Sequence, residues 1–168
     1  MCTFLNGYFY FIAGNPGKQH LFYVPAGLIG TEEAYNNIGV LPANAEWMGI
    51  TSDGSGALYL AGVAENEVTL IRHDLSTDMD DRCSFPFSNV IVDINADENY
   101  FYFSSRDDEN GLVTVSKVDF VNKTNGVARD MSASGKTGSV YGLALCNDGR
   151  LSLTVDRKLT WVSMDDSQ

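Results

Sequence analysis

The sequence predicts an all-β protein built from four antiparallel meander units, and three observations carry that expectation. A short apolar run recurs four times, and aligning the runs on Phe9, Leu58, Phe101 and Leu151 gives spacings of 49, 43 and 50 residues. Each run follows a turn rich in Asn, Asp or Gly, residues that supply the positive φ angles of tight hairpins. Helical periodicity is nearly absent, with one turn conceivable over Thr31 to Tyr35.

Taken in order, each unit opens with a β-rich segment. These are Cys2 to Leu5, Trp47 to Thr51, Val90 to Ile94 and Val140 to Leu145. A polar turn follows, Asn6-Gly7, Asp53 to Gly56, Asp97 to Asn99 or Asn147 to Gly149, and then the aligned second strand. Third strands are expected at Leu21 to Val24, Val68 to Arg72, Val113 to Val118 and Leu159 to Ser163, with an Asn110-Gly111 pair marking one hairpin. Fourth strands are less distinct, at Ile38 to Leu41, Cys83 to Phe87 and Gly126 to Met131, and none is visible in the last unit. The units divide near residues 45, 88 and 138, as parts of one domain spanning 1–168.

The runs Tyr8 to Ala13 and Tyr100 to Phe103 are apolar without alternation, which predicts strands covered on both faces. The aligned pairs Phe9 and Phe11, Leu58 and Leu60, Phe101 and Phe103, and Leu151 and Leu153 are therefore the expected core. This order of signals resembles β-propeller repeats in general, across essentially the whole chain. The Gly-His and Trp-Asp marks of WD40 repeats and the Gly-Gly pair of kelch blades are absent. The resemblance implies blades of about four strands, closing as a ring of four or as part of a larger shared ring, and implies no particular activity. In that arrangement Gly49 and Gly142 occupy tight places in first strands, and Asp93, at the matching place, points toward a central channel.

Composition narrows the function classes. Eleven Lys and Arg against 22 Asp and Glu give a net charge of −11, which repels phosphate backbones and anionic lipids. Neither nucleic acid nor a membrane is an expected partner. No apolar run approaches the ~20 residues of a membrane-spanning helix. Met1 to Phe4 lacks the features of an export signal, and Cys2, Cys83 and Cys146 fit reduced thiols, so a cytoplasmic setting is expected, with a virion as the alternative.

No catalytic set stands out. Ser134-Gly135-Lys136-Thr137 ends like a phosphate loop, but Asp130 stands where its first Gly belongs. His20 and His73 are the only histidines, too few for a zinc cage, and nothing in their spacing pairs either with a nucleophile. The Gly54-Ser55-Gly56 triplet reads as a hairpin turn. Acidic runs at Asp78, Asp80 and Asp81 and at Asp107, Asp108 and Glu109 offer oxygen ligands without the order of an EF-hand, and Asp93 is the remaining candidate for a single calcium ion. No other cofactor is expected.

The expected function is a non-catalytic structural or protein-interaction module, a homo-oligomer or a component of a larger assembly such as a viral or phage particle. The alternative is a binder of a small ligand, a glycan or a cation, or a hydrolase, using the channel. Tyr35 and Trp161 are the aromatics a glycan would meet.

Overall fold

A computed structural model describes residues 1–31, 35–130, 140–146 and 150–162. Four antiparallel sheets account for most of them. The first contains β1 (Cys2–Leu5), β2 (Tyr8–Ala13), β3 (His20–Pro25) and β4 (Asn36–Val40). The second contains β5 (Glu46–Ser52), β6 (Ala57–Ala64), β7 (Glu67–Asp74) and β8 (Met79–Pro86). The third contains β9 (Val90–Ala96), β10 (Tyr100–Arg106), β11 (Val113–Asp119) and β12 (Thr124–Asp130), and the last has β13 (Val140–Leu145), β14 (Leu151–Val155) and β15 (Lys158–Val162). Within each sheet the described strands lie in sequence order, so every sheet is a plain meander. The one helical segment among the described residues is a 3-10 turn at Ala26–Leu28; the turn expected at Thr31 to Tyr35 lies largely outside the described residues. None is long and apolar enough to cross a membrane.

Turn chemistry explains where the strands stop. Asp53 Oδ1 accepts the backbone N–H groups of Ser55, Gly56 and Ala57, and Asp97 Oδ1 accepts those of Asn99 and Tyr100 at the same place in the third sheet. A carboxylate at the first turn position satisfies backbone donors that the reversing chain would otherwise leave unpaired. Asp74 and Asp119 do the same where third strands turn into fourth.

A repeated irregularity also marks the units. Between first and second strands the register slips by one residue after Trp47, beside Asp93 and after Val140. Gly49, Asp93 and Gly142 each follow the extra residue, so their sequence alignment corresponds to a bulge between the first two strands of the second, third and last sheets. Such a bulge bends the strand and increases its twist.

The chain, read from its sequence as one domain, divides into two compact units, Met1–Phe87 and Ser88–Gln168. In the first unit, Leu5, Tyr10 and Leu21 from the first sheet pack on Trp47, Ile50, Leu58, Leu60 and Ile71 from the second. In the other unit, Tyr102, Val113 and Val115 pack on Leu143, Leu151, Leu153 and Val155. Each such side chain removed from water contributes roughly 1.5–3 kcal/mol, so these two sandwiches hold the sheets in pairs.

Leu58, Leu60, Phe101, Phe103, Leu151 and Leu153 are fully buried, as their alignment predicts. Phe9 and Phe11 are not. They are half-buried, and Tyr10 between them is the buried residue of β2. The reason lies in strand parity. Tyr10 faces the second sheet, so Phe9 and Phe11 lie on the opposite face, and the first unit contains no sheet preceding the first one. Continuous burial holds for Ala57 to Gly62 and for Phe101 to Ser105, whereas β14 alternates.

Candidate ligand pocket

Strand β7 places Ile71 and His73 on the face it shares with Leu60 and Leu58 of β6, their direct cross-strand partners. This face turns toward the first sheet. The hairpin from β7 to β8 is set by Asp74, whose Oδ1 takes the N–H and hydroxyl of Ser76 at 2.9 and 2.7 Å and the N–H of Thr77 at 3.2 Å. Asp78 closes the turn in a left-handed conformation, φ +56°, with its N–H on Asp74 O at 2.9 Å. That register sets Asp80 opposite His73 and Arg82 opposite Ile71.

The result is a polar wall over an apolar floor. His73 Nδ1 lies 2.9 Å from Asp80 Oδ1, and Arg82 Nη2 donates to Asp80 Oδ2 at 2.7 Å. His73 Nε2 stands 3.8 Å from Asp78 Oδ1. Beneath them a cavity of about 260 Å³ has Leu21 and Ile38 of the first sheet on one side and Leu60 and Ile71 on the other. Burial alone would raise the Asp80 carboxyl; hydrogen bonds from Arg82 and His73, with their charges, outweigh it and hold the group below the usual carboxylate value. Asp80 is therefore an anionic acceptor, and His73 Nδ1–H donates to it.

The other sequence candidates fall elsewhere. Asp93 is placed beside β13 in the second unit, where Oδ2 accepts Leu143 N–H at 2.9 Å while Oδ1 accepts its own neighbour's N–H, Ile94, at 2.9 Å. Both oxygens join backbone, making Asp93 a bridge between sheets. Among the described residues no three His, Cys, Asp or Glu side chains converge as a metal would need. Asp107 accepts the Glu109 N–H and the Asn110 amide, and Asp108 pairs with Arg106 at 2.9 Å, so that acidic run is a capped hairpin. His20 meets Asn37 across β4, at 3.0 Å from Nδ1, and is not brought to His73. Ser55 sits in the Asp53 turn, and Cys2, Cys83 and Cys146 form no disulfide. Ser134 to Thr137 lies outside the described residues. Tyr35 edges onto Phe11, and half-exposed Trp161 lies under the Arg150 guanidinium at 4.6 Å.

The sequence reading missed the pairing of His73 with Asp80. The signal was the hairpin register: a turn centred between Leu75 and Asp78 puts those two residues opposite each other. Starting the fourth strand at Cys83 left Asp80 in a loop, whereas β8 begins at Met79.

No protein-family model and no curated protein matches the chain. Among solved structures it is similar to the crystal structure of Myxococcus xanthus glutaminyl cyclase, at 16% identity over 96% of this chain and 90% of that one, with a TM-score of 0.40. A likeness at that level carries no argument about activity.

Proposed function

We propose that the chain is a propeller-type interaction module that works by docking a protein, a second copy or another partner, and not by catalysis. The four meanders are its blades, in a ring of four or a share of a larger ring. The sequential strand order, the bulge repeated at one place and the face-to-face stacking of sheets within each unit support the blade reading.

One observation carries the interaction reading, the open aromatic face of the first sheet. Phe4 packs on Phe9 with ring centroids 5.0 Å apart, Phe11 stacks on Phe22 at 5.5 Å, and Tyr35 meets Phe11 edge-on at 5.9 Å. Phe4 and Tyr35 remain 54% and 50% exposed. Within this unit the aligned face of the second sheet, Leu58 and Leu60, is covered by the first sheet, whereas no sheet of the unit covers the face that carries Phe9 and Phe11. Contiguous exposed aromatics on a chain this acidic mark an interaction surface rather than a solubility surface.

The test is light scattering on the purified chain at micromolar concentration, joined to co-purification from its source. An oligomer or a stoichiometric partner is expected, and Phe4→Glu with Tyr35→Glu abolishes the association while circular dichroism stays unchanged. A lone monomer that captures nothing overturns the reading, as does an association indifferent to both substitutions.

A further inference from the structure

We infer that the cavity between β4 and β7 binds a small uncharged ring compound, its hydrocarbon held between the first and second sheets. The inference is independent of the docking reading above, since it concerns the opposite face of the first sheet.

Strand β4 is shaped around this cavity in two ways. Its register against β3 slips by one residue between Leu21 and Phe22, so Ile38 is an extra residue, and it packs on the core of the unit. A bulge of this kind re-aims a side chain. Gly39 then stands directly opposite Leu21, and cross-strand partners share a face of the sheet. Any larger residue at that position would point into the cavity that Leu21 lines. A Cβ built on Gly39 meets nothing within 4 Å, and its φ lies outside the left-handed region. Neither crowding nor turn geometry therefore calls for glycine here. A glycine inside a strand weakens it, and such a residue often marks a place where a ligand approaches the backbone.

The walls favour a ligand without charge. Asp80 is satisfied on both oxygens, by His73 at 2.9 Å and by Arg82 at 2.7 Å. Two acids, Asp78 and Asp80, thus stand against Arg82 and the imidazole, and neither sign dominates whichever way His73 is protonated. A cation would meet Arg82 and an anion would meet the acids. The floor offers only hydrocarbon, from Leu21, Ile38, Leu60 and Ile71, where an ion would lose its water without a partner. The volume is about 260 Å³. An apolar cavity of about 150 Å³ takes a benzene ring, so one ring with a short substituent fits. The competing account is a packing gap that takes no ligand.

Ligand-observed NMR titration of the full chain at neutral pH, with toluene, benzyl alcohol, benzylamine and benzoate as single-ring probes, separates these accounts. Toluene and benzyl alcohol are expected to bind at millimolar concentration. Benzylamine and benzoate should bind at least about tenfold more weakly, because each must shed part of its hydration. Gly39→Leu fills the cavity from β4 and should weaken toluene at least about tenfold, with circular dichroism unchanged, since the space beside Gly39 is open. Gly39→Ala, the smaller step, should weaken it less. No binding of either uncharged probe overturns the inference. Binding of benzylamine or benzoate as tight as that of toluene overturns the uncharged assignment, and a toluene affinity unchanged in both Gly39 variants overturns the placement. The wild-type probe series decides between a ligand site and a packing gap without any variant.

Discussion

Each unit joins a sheet to the one that follows by letting side chains imitate a β-bridge, and the two units do it differently. In the first, Gln19 accepts the Trp47 N–H on Oε1 at 2.7 Å and donates from Nε2 to the Trp47 carbonyl at 2.8 Å. One amide brackets one residue of β5. In the second, the work is split: Asp93 accepts the Leu143 N–H at 2.9 Å, and Asn95 reaches the Leu143 carbonyl at 3.5 Å. A carboxylate has no donor, so a second residue on the same strand face must supply it. Gln19 is 8% exposed, whereas Asp93 and Asn95 are half-buried. Water can therefore replace the second bridge far more readily than the first, and the same connection should differ in strength between the units.

The largest effect is expected at Gln19. Gln19→Leu leaves the N–H and the carbonyl of Trp47 without partners in a buried place, at a cost of about 3 kcal/mol, since each buried unpaired group costs about 1–3 kcal/mol. Gln19→Glu should cost a similar amount, because it keeps the acceptor while setting a carboxylate oxygen against a carbonyl. Urea denaturation checks both. A loss below about 0.5 kcal/mol in Gln19→Leu would mean that the apolar contacts of Trp47 alone join the sheets.

The next effect sharpens the picture of Trp47 itself. Its indole lies across Gly62, its cross-strand partner, and a Cβ added there would stand 3.0 Å from both Trp47 Cδ2 and Ala45 Cβ. Gly62→Ala should cost about 1–3 kcal/mol through overpacking. Because the ring must shift to admit the methyl group, combining Gly62→Ala with Gln19→Leu should give less than the sum of the two losses. Strict additivity would show that the ring and the bracket act separately.

Asp93 comes third. Asp93→Ala should cost about 1–2 kcal/mol and Asp93→Asn about 1 kcal/mol, since the amide oxygen retains one of the two N–H contacts and water reaches the other. A loss at Asp93 equal to that at Gln19 would break the comparison, showing that exposure does not set the strength of these bridges.

Much of this arrangement was legible in the sequence, for physical reasons. The polar turns at Asp53 and Asp97 and the apolar second strands follow local rules of turn geometry and pleat; the alignment of Gly49, Asp93 and Gly142, read as tight places and a channel acid, corresponds instead to bulge positions. The alignment set Phe9 and Phe11 in the core, whereas they are half-buried on the strand face opposite buried Tyr10. What it did not reveal was that this face lacks a covering sheet in its unit, since cover comes from tertiary neighbours and not from the strand. The bridges were illegible for a related reason. Gln19 reaches Trp47 across 28 residues and Asp93 reaches Leu143 across 50, with no periodicity to announce either. The pocket lies between these extremes. His73 and Asp80 are only seven residues apart, and fixing the start of β8 would have paired them, but Leu21 and Ile38 join them only through packing of the first sheet.

The smallest effect contrasts the two units at their third turns. Asp74 is held at about 2 from an ordinary 3.8, first by the Ser76 hydroxyl, then by the Ser76 N–H, with burial opposing and the Thr77 N–H and Arg72 assisting. Asp119 is also lowered, first by the Asn122 N–H and then by the Asn122 amide, without a hydroxyl donor. A depressed carboxylate adds stability that is complete above its unfolded pKa and is lost as the pH falls through its folded one. For Asp74 that window runs from about pH 4 down to about pH 2. Asp74→Asn should therefore flatten the acid limb of the stability curve in that window and leave its slope near neutrality unchanged. Asp119→Asn should flatten it less, and Ser76→Ala should bring the Asp74 turn closer to the Asp119 one. Denaturant midpoints measured at stepped pH values read all three. If Ser76→Ala leaves the acid limb as steep as in the parent, the hydroxyl is not what separates the two turns, and exposed caps of this kind behave alike in both units.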